Sequence, residues 1–139
     1  MTSIPPLNKS DADLHIHSNC SDGLLSPEEI IQYCSEIDLK TIAITDHDSV
    51  QAIEVLKDVD HRELELIPAV ELSANIGHLD IHILAYFVDH ENSDLLECLV
   101  KLRAHRIKRA RKIIEKLSND GIKVDFDRMK ATAKNSALG

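Results

Sequence analysis

Polar and apolar positions alternate through Asp13-Leu14-His15-Ile16-His17, the two-residue period of a short strand. A loop of Asn, Ser, Asp and Gly follows over residues 18–25. Ser26-Pro27-Glu28-Glu29 predicts a helix start: Ser26 caps, Pro27 fits the first helical position, and Glu29 completes a capping box. Ile30, Ile31 and Cys34 give this helix one apolar face, and it should run to Ile37. The apolar run at residues 41–45 predicts a buried strand, followed by a loop at Asp46-His47-Asp48-Ser49 and a helix over 50–59. Residues 65–71 and 79–88 read as two further strands, with Tyr86 and Phe87 expected in the core. Strands alternating with helices imply βαβ units and a mainly parallel sheet. A long helix is predicted over 93–118, with Val100, Ile107 and Ile114 repeating at seven beside Ala110 and Leu117, and Asn119-Asp120-Gly121 ends it. Pro5-Pro6 makes residues 1–10 a loose, flexible leader.

With 43% apolar and 29% charged residues, the 139-residue chain has the composition of a folded, soluble protein. It is shorter than the roughly 250 residues of a complete α/β barrel. The longest apolar run, residues 83–88, is far below the ~20 residues of a membrane span, so no membrane partner is expected. Residues 1–6 lack the pattern of a secretory signal. Cys20, Cys34 and Cys98 are odd in number and widely spaced, so no disulfide partner is expected and a cytoplasmic location fits. The net charge of −8 is unevenly spread: residues 1–100 carry −16 and residues 101–116 carry +7. The basic stretch is either a phosphate-binding patch, with Arg103 and Arg106 as candidate substrate contacts, or the solvated face of an amphipathic helix.

Eight histidines are the chemically informative feature. His15 and His17 project from the same face of a strand and can converge on one ion. Asp22 follows in a turn built by Ser21 and Gly23, His47 lies just after the second strand, Glu71 ends the third, and His82 lies within the fourth. Strand ends of a parallel α/β fold share one rim, where ligands bind. Nitrogen and oxygen donors without thiolate favour Mn, Fe or Zn in an open site. Each piece alone is weak: His-x-His can be a surface pair, Asp-His-Asp a solvated turn, and Glu71 a cap. Their joint occurrence is what points to metal. Asp46 or Asp48 would orient His47 by a hydrogen bond, and Asp13 would do the same for His15. Ser18 is a candidate phosphate contact, and Cys20 reads as a packing residue rather than a nucleophile.

Asp13-Leu14-His15-Ile16-His17-Ser18-Asn19-Cys20-Ser21-Asp22-Gly23 resembles the first motif of the PHP (polymerase and histidinol phosphatase) superfamily. Ile44-Thr45-Asp46-His47-Asp48, Ala69-Val70-Glu71-Leu72-Ser73 and Ile81-His82-Ile83-Leu84-Ala85-Tyr86 resemble its next three, with Ala85 where the family usually has Gly. The chain is most similar to the stand-alone phosphoesterases of that family, which include nucleoside 3′,5′-bisphosphate phosphatases and 5′→3′ exoribonucleases of the RNase AM type. The resemblance implies a distorted (β/α)7 barrel with a trinuclear centre, Mn2+ foremost, with Fe2+, Zn2+ or Mg2+ as alternatives. Within it, His15 and His17 would bind one metal, Asp22 and His47 a second, and Glu71 and His82 a third, Glu71 bridging. The family adds a later His after Arg-Pro and an Asp-x-His pair, and none of these matches a residue here; His90 and His105 lie outside its motifs. Residues 11–90 would then be the N-terminal βα units of the barrel, and 91–139 the start of a helical insertion, ending before the barrel closes. An exposed sheet edge on such a part favours self-association.

Three readings follow. The resemblance implies a metal-dependent phosphoesterase acting on nucleotides or RNA 5′ ends. The alternatives are a truncated, non-catalytic metal-binding module and a histidinol-phosphate phosphatase. Walker, dinucleotide and GxSxG motifs are absent, so nucleotide-dependent transfer and serine hydrolysis have no support.

Overall fold

The computed structural model describes residues 11–61, 63–77 and 79–133. The expected leader at 1–10 and the last six residues lie outside them. Strand β1 (Ala12–Ile16), helix α1 (Pro27–Glu36), strand β2 (Thr41–Ile44), helix α2 (Gln51–Leu56) and the two-residue strand β3 (Glu65–Leu66) form βα units whose strands pair in parallel in the order β1-β2-β3. Both capping-box bonds of α1 are made: Ser26 Oγ accepts from the Glu29 amide at 3.3 Å, and Glu29 Oε2 from the Ser26 amide at 2.7 Å. Ile30, Ile31 and Cys34 pack with Ile42, Ile44, Ala52 and Leu56 into the first core.

The structure departs from the sequence expectations beyond residue 50. Helix α2 is shorter than 50–59, because its end tightens into three-residue turns (Lys57 N to Glu54 O, 3.3 Å; Val59 N to Leu56 O, 3.1 Å). The strand expected over 65–71 is broken before Pro68, which has no amide hydrogen for a ladder; strand β4 (Ala69–Ile76) begins after it. Strand β5 (Leu79–Tyr86) then returns antiparallel to β4, not parallel, in continuous register from Ala69↔Tyr86 to Ile76↔Leu79. Gly77, at φ +62°, opens the two-residue connection, a backbone region that glycine enters without steric cost. Two sheets result, a parallel one of β1, β2 and β3 and an antiparallel hairpin of β4 and β5. A parallel bridge between His47 and Glu71 joins the two parts, with Asp48 N donating to Glu71 O at 2.9 Å.

Helix α3 (Ser93–Asn119), capped by Asn92, lies against the hairpin, and helix α4 (Phe126–Ala133) follows. Leu95, Leu99 and Leu102 face a second core with Val50 and Val70. Of the apolar face expected from the seven-residue repeat, Val100 is 57% exposed and Ile107 36%, while Ala110, Ile114 and Leu117 are half-buried. Phe87 is exposed rather than in the core, at φ +57°. Tyr86 is half-buried, and its hydroxyl donates to the Leu14 carbonyl at 2.8 Å, tying β5 to β1.

Candidate metal centre

Five side chains gather about the carboxylate of Glu71, four imidazoles directly and Asp22 through His17 and His47. Glu71 is buried on β4, and its Oε2 lies 3.1 Å from His15 Nε2, 2.8 Å from His17 Nε2 and 3.6 Å from His47 Nδ1. Its Oε1 lies 2.8 Å from His82 Nδ1. His17 Nδ1 is 2.6 Å from Asp22 Oδ1, and His47 Nε2 is 3.6 Å from Asp22 Oδ2. The local causes are simple. His15 and His17 share a strand face, with their Nε2 atoms 3.2 Å apart. Glu71 and Ser73 share a face of β4, and His82 pairs with Ser73, so His82 reaches Glu71 diagonally across the ladder. Glu71 and His82 thus converge through a hairpin and not through the ends of two parallel strands.

The donors fall into three overlapping groups, each close enough to share an ion: His15, His17 and Glu71; His17, Asp22 and His47; His47, Glu71 and His82. Imidazole and carboxylate donors without thiolate suit divalent ions such as Mn, Fe or Zn. Nδ1 of buried His47 has no hydrogen-bond partner in the protein, the state of a donor atom left for an ion. Burial, together with the charge of Arg106, pushes the His47 pKa down, which keeps the ring neutral and able to ligate. Burial pushes Glu71 up, but the His15 hydrogen bond and the charges of His47, His17 and His82 outweigh it and hold the carboxyl below its usual range. Asp22 is likewise lowered, because contacts with His17 and His47 outweigh its burial. The donors present therefore fit divalent metal.

Asp46 and Asp48, expected to orient His47, make their hydrogen bonds elsewhere. Asp46 is fully buried and accepts from Ser18 N (2.8 Å), Ser18 Oγ (2.6 Å) and Ser21 Oγ, so it holds the loop that presents Asp22. Asp48, also buried and at φ +52°, accepts from Ser73 N and Oγ (both 2.8 Å) and from Arg106 Nε (2.8 Å). Asp13 accepts from the His15 backbone amide rather than its ring. Ser18, expected at substrate phosphate, is buried, with its hydroxyl committed to Asp46. Arg103 donates to the Asp48 carbonyl at 2.6 Å, and Arg106, its side chain 13% exposed, also donates to Ser73 Oγ. Both arginines thus pin α3 to the His47 loop. Burial pushes the Cys20 thiol up, which suits packing and not nucleophilic attack. Ser21, expected to build the turn at Asp22, does so by donating to Asp46, whereas Ser73 went unrecognised as a support because it stood out only as a small hydroxyl residue near a proposed ligand.

Comparison with known proteins agrees with this geometry. The PHP domain matches residues 13–129. The 5'-3' exoribonuclease Rnm of Escherichia coli (strain K12) is 33% identical over 129 residues, covering 91% of this chain and 44% of the relative. The 3',5'-nucleoside bisphosphate phosphatase of Chromobacterium violaceum is 32% identical over 119 residues, covering 85% and 42%. A solved structure from Bifidobacterium adolescentis, a candidate metal-dependent phosphoesterase, superposes with a TM-score of 0.75 at 27% identity, over 92% of this chain and 46% of its own. The chain thus spans less than half the length of these relatives. From the ordered motifs, the convergent donors and the extent of the match, the chain belongs to the PHP domain family.

Proposed function

We propose that this chain supplies the metal-binding part of a phosphoesterase that hydrolyses phosphate esters of nucleotides or of RNA 5′ ends. The observation that carries the reading is the approach of four imidazoles to one buried carboxylate, Glu71, which with Asp22 makes up three adjoining groups that could each hold an ion. The centre is then trinuclear, with Mn2+ as the resident ion. Bound divalent ions would lower the pKa of water towards neutrality and offset charge on the phosphoryl oxygens. The chain's own part is to hold that chemistry still. Glu71 and the four histidines fix the ions, Asp46 and Asp48 fix the loops, and the basic residues of α3 counter the negative field of residues 1–100 for an anionic substrate. Three cysteines with no disulfide among them accord with a cytoplasmic site of action. No helix among the described residues is long and apolar enough to cross a membrane.

A specific observation favours a second reading. The three donor groups draw on only six side chains among the described residues, with His17, His47 and Glu71 each shared between two, so three ions would have about two protein ligands each. By itself the chain would then bind metal without turnover, and the β1 edge, paired only with β2 in the described sheet, would promote self-association. Elemental analysis, hydrolysis of adenosine 3′,5′-bisphosphate in Mn2+ and size-exclusion chromatography separate the readings. Near three ions per chain with phosphate release supports the enzyme, while bound ions without release support the module. Failure to retain any divalent ion refutes both.

A further inference from the structure

Strand β1 falls out of step with β2 at one point. Asp13 stands against Ile42 and Ile16 against Ile44, so two residues, Leu14 and His15, oppose the single Ala43. That is a β-bulge, a device that bends a strand and re-aims the side chains on it. The peptide unit joining Leu14 to His15 is held at both its polar atoms by side chains. The Leu14 carbonyl accepts from the Tyr86 hydroxyl at 2.8 Å, and the His15 amide donates to Asp13 Oδ1 at 3.2 Å. The two bonds differ in reach. Asp13 belongs to β1 and moves with it, whereas Tyr86 is on β5, in the other sheet.

His15 needs such a hold. Its side chain is 51% exposed, the most exposed of the four imidazoles, so packing does little to aim it. Its Nε2 nonetheless lies 3.1 Å from Glu71 Oε2, across the boundary between the two sheets, and the first donor group closes only over that boundary. Tyr86 spans the same boundary from the face of β5 that carries His82. We propose that Tyr86 is a positioning residue for the metal centre: its hydroxyl fixes the bulge of β1 against the hairpin and so aims His15 at the ion shared with His17 and Glu71. This rests on the metal-binding part of the function proposed above, and it gives Tyr86 no contact with ion or substrate.

Tyr86→Phe keeps the ring and removes only the hydroxyl. Titration of the whole chain with Mn2+, followed by the paramagnetic resonance of the free ion, should show one ion held about three- to tenfold more weakly, the effect of one lost hydrogen bond. Double-mutant cycles locate the effect, because His15 belongs only to the first donor group and His82 only to the third. Added to His15→Ala, Tyr86→Phe should change binding less than about twofold; added to His82→Ala, it should cost its full amount. In the metal-free chain, Tyr86→Phe should speed amide exchange at His15 about three- to tenfold and leave Ile42 on β2 unchanged. The proposal is overturned if Tyr86→Phe binds Mn2+ like wild type, if its loss persists beside His15→Ala or vanishes beside His82→Ala, or if exchange at His15 does not rise above that at Ile42. The metal centre stands in each of those cases. If wild type retains no Mn2+, both fall.

Discussion

Replacing Asp46 separates the electrostatic from the steric part of its role. In the native site three donors converge on its buried carboxylate: Ser18 N, Ser18 Oγ and Ser21 Oγ. Asp46→Ala removes every acceptor at once. Each stranded buried donor costs about 1–3 kcal/mol, so with partial rescue by entering water the loss should be roughly 3–5 kcal/mol. Asp46→Asn is nearly isosteric. Its Oδ1 still accepts from Ser18 N and Ser21 Oγ, and its Nδ2 can donate to Ser18 Oγ, which already accepts from Cys20 N at 3.1 Å. What is lost is charge assistance and a partner for one hydroxyl proton; what is relieved is the burial of a charge. The net cost should be about 1 kcal/mol. Urea unfolding of the metal-free chain, extrapolated linearly, measures both values. Titration with Mn2+ should find Asp46→Ala about 10–100-fold weaker, because the loop that carries Asp22 is no longer held. Equal destabilisation by Asn and Ala would mean that the charge, and not the acceptor geometry, holds the loop. An Ala variant within 1 kcal/mol of wild type would refute the reasoning altogether.

Other substitutions probe neighbouring parts of the frame. A Cβ added at Gly23 would sit 2.1 Å from His17 O and 2.5 Å from His17 C. Backbone cannot yield as a side-chain tip does, so Gly23→Ala should lower the melting temperature and cut Mn2+ affinity about tenfold or more by displacing His17 and Asp22. Arg106→Ala leaves the buried Asp48 carboxylate with only its Ser73 donors and should cost about 3 kcal/mol by urea unfolding, near the lower end for a broken buried pair. Acidification should destabilise the metal-free chain in two stages, read as melting temperature against pH in EDTA. His47, its folded pKa below the ordinary 6.5, takes up its proton more readily when unfolded, so stability falls as pH drops through 6.5. Glu71 and Asp22, held below the usual carboxylate range, contribute stability above about pH 4 that is lost as pH falls towards their folded values. His47→Asn should abolish the upper stage and leave the lower one.

What could be read from the chain alone was whatever depends on near neighbours. The start of α1 was legible because a capping box is completed within four residues, and the donor set was legible because its motifs are contiguous. Pairing was not. Nothing local to residues 79–86 distinguishes a strand that returns beside its predecessor from one that crosses over, and the hint at Gly77 is a single residue. The inward face of α3 was misjudged because the seven-residue repeat starts at Val100, about 100° around the helix from buried Leu99; Leu95, Leu99 and Leu102 follow the helical period, and Arg106 continues their row. Phe87 was misplaced because hydrophobicity does not reveal a left-handed backbone that turns a ring outward.

The roles of Asp46 and Asp48 show how direction is lost in one dimension. In extended backbone, residues two apart point to the same side, so both acids would lie together on the side opposite the His47 ring. The left-handed φ of Asp48 breaks that symmetry. Asp46 then faces the 18–21 loop, while Asp48 faces β4 and α3, so the tripeptide around His47 joins two halves of the centre. His17 and Asp22 come from one half, Glu71 and His82 from the other, and His47 is common to a group in each. Two buried carboxylates are costly, and each is tolerated because three donors meet it. Those same donors belong to the segments that must not move relative to His47. The charges that burden the fold are therefore the ones that set the spacing of the ion positions, and neutralising either should disturb metal binding in its own half first.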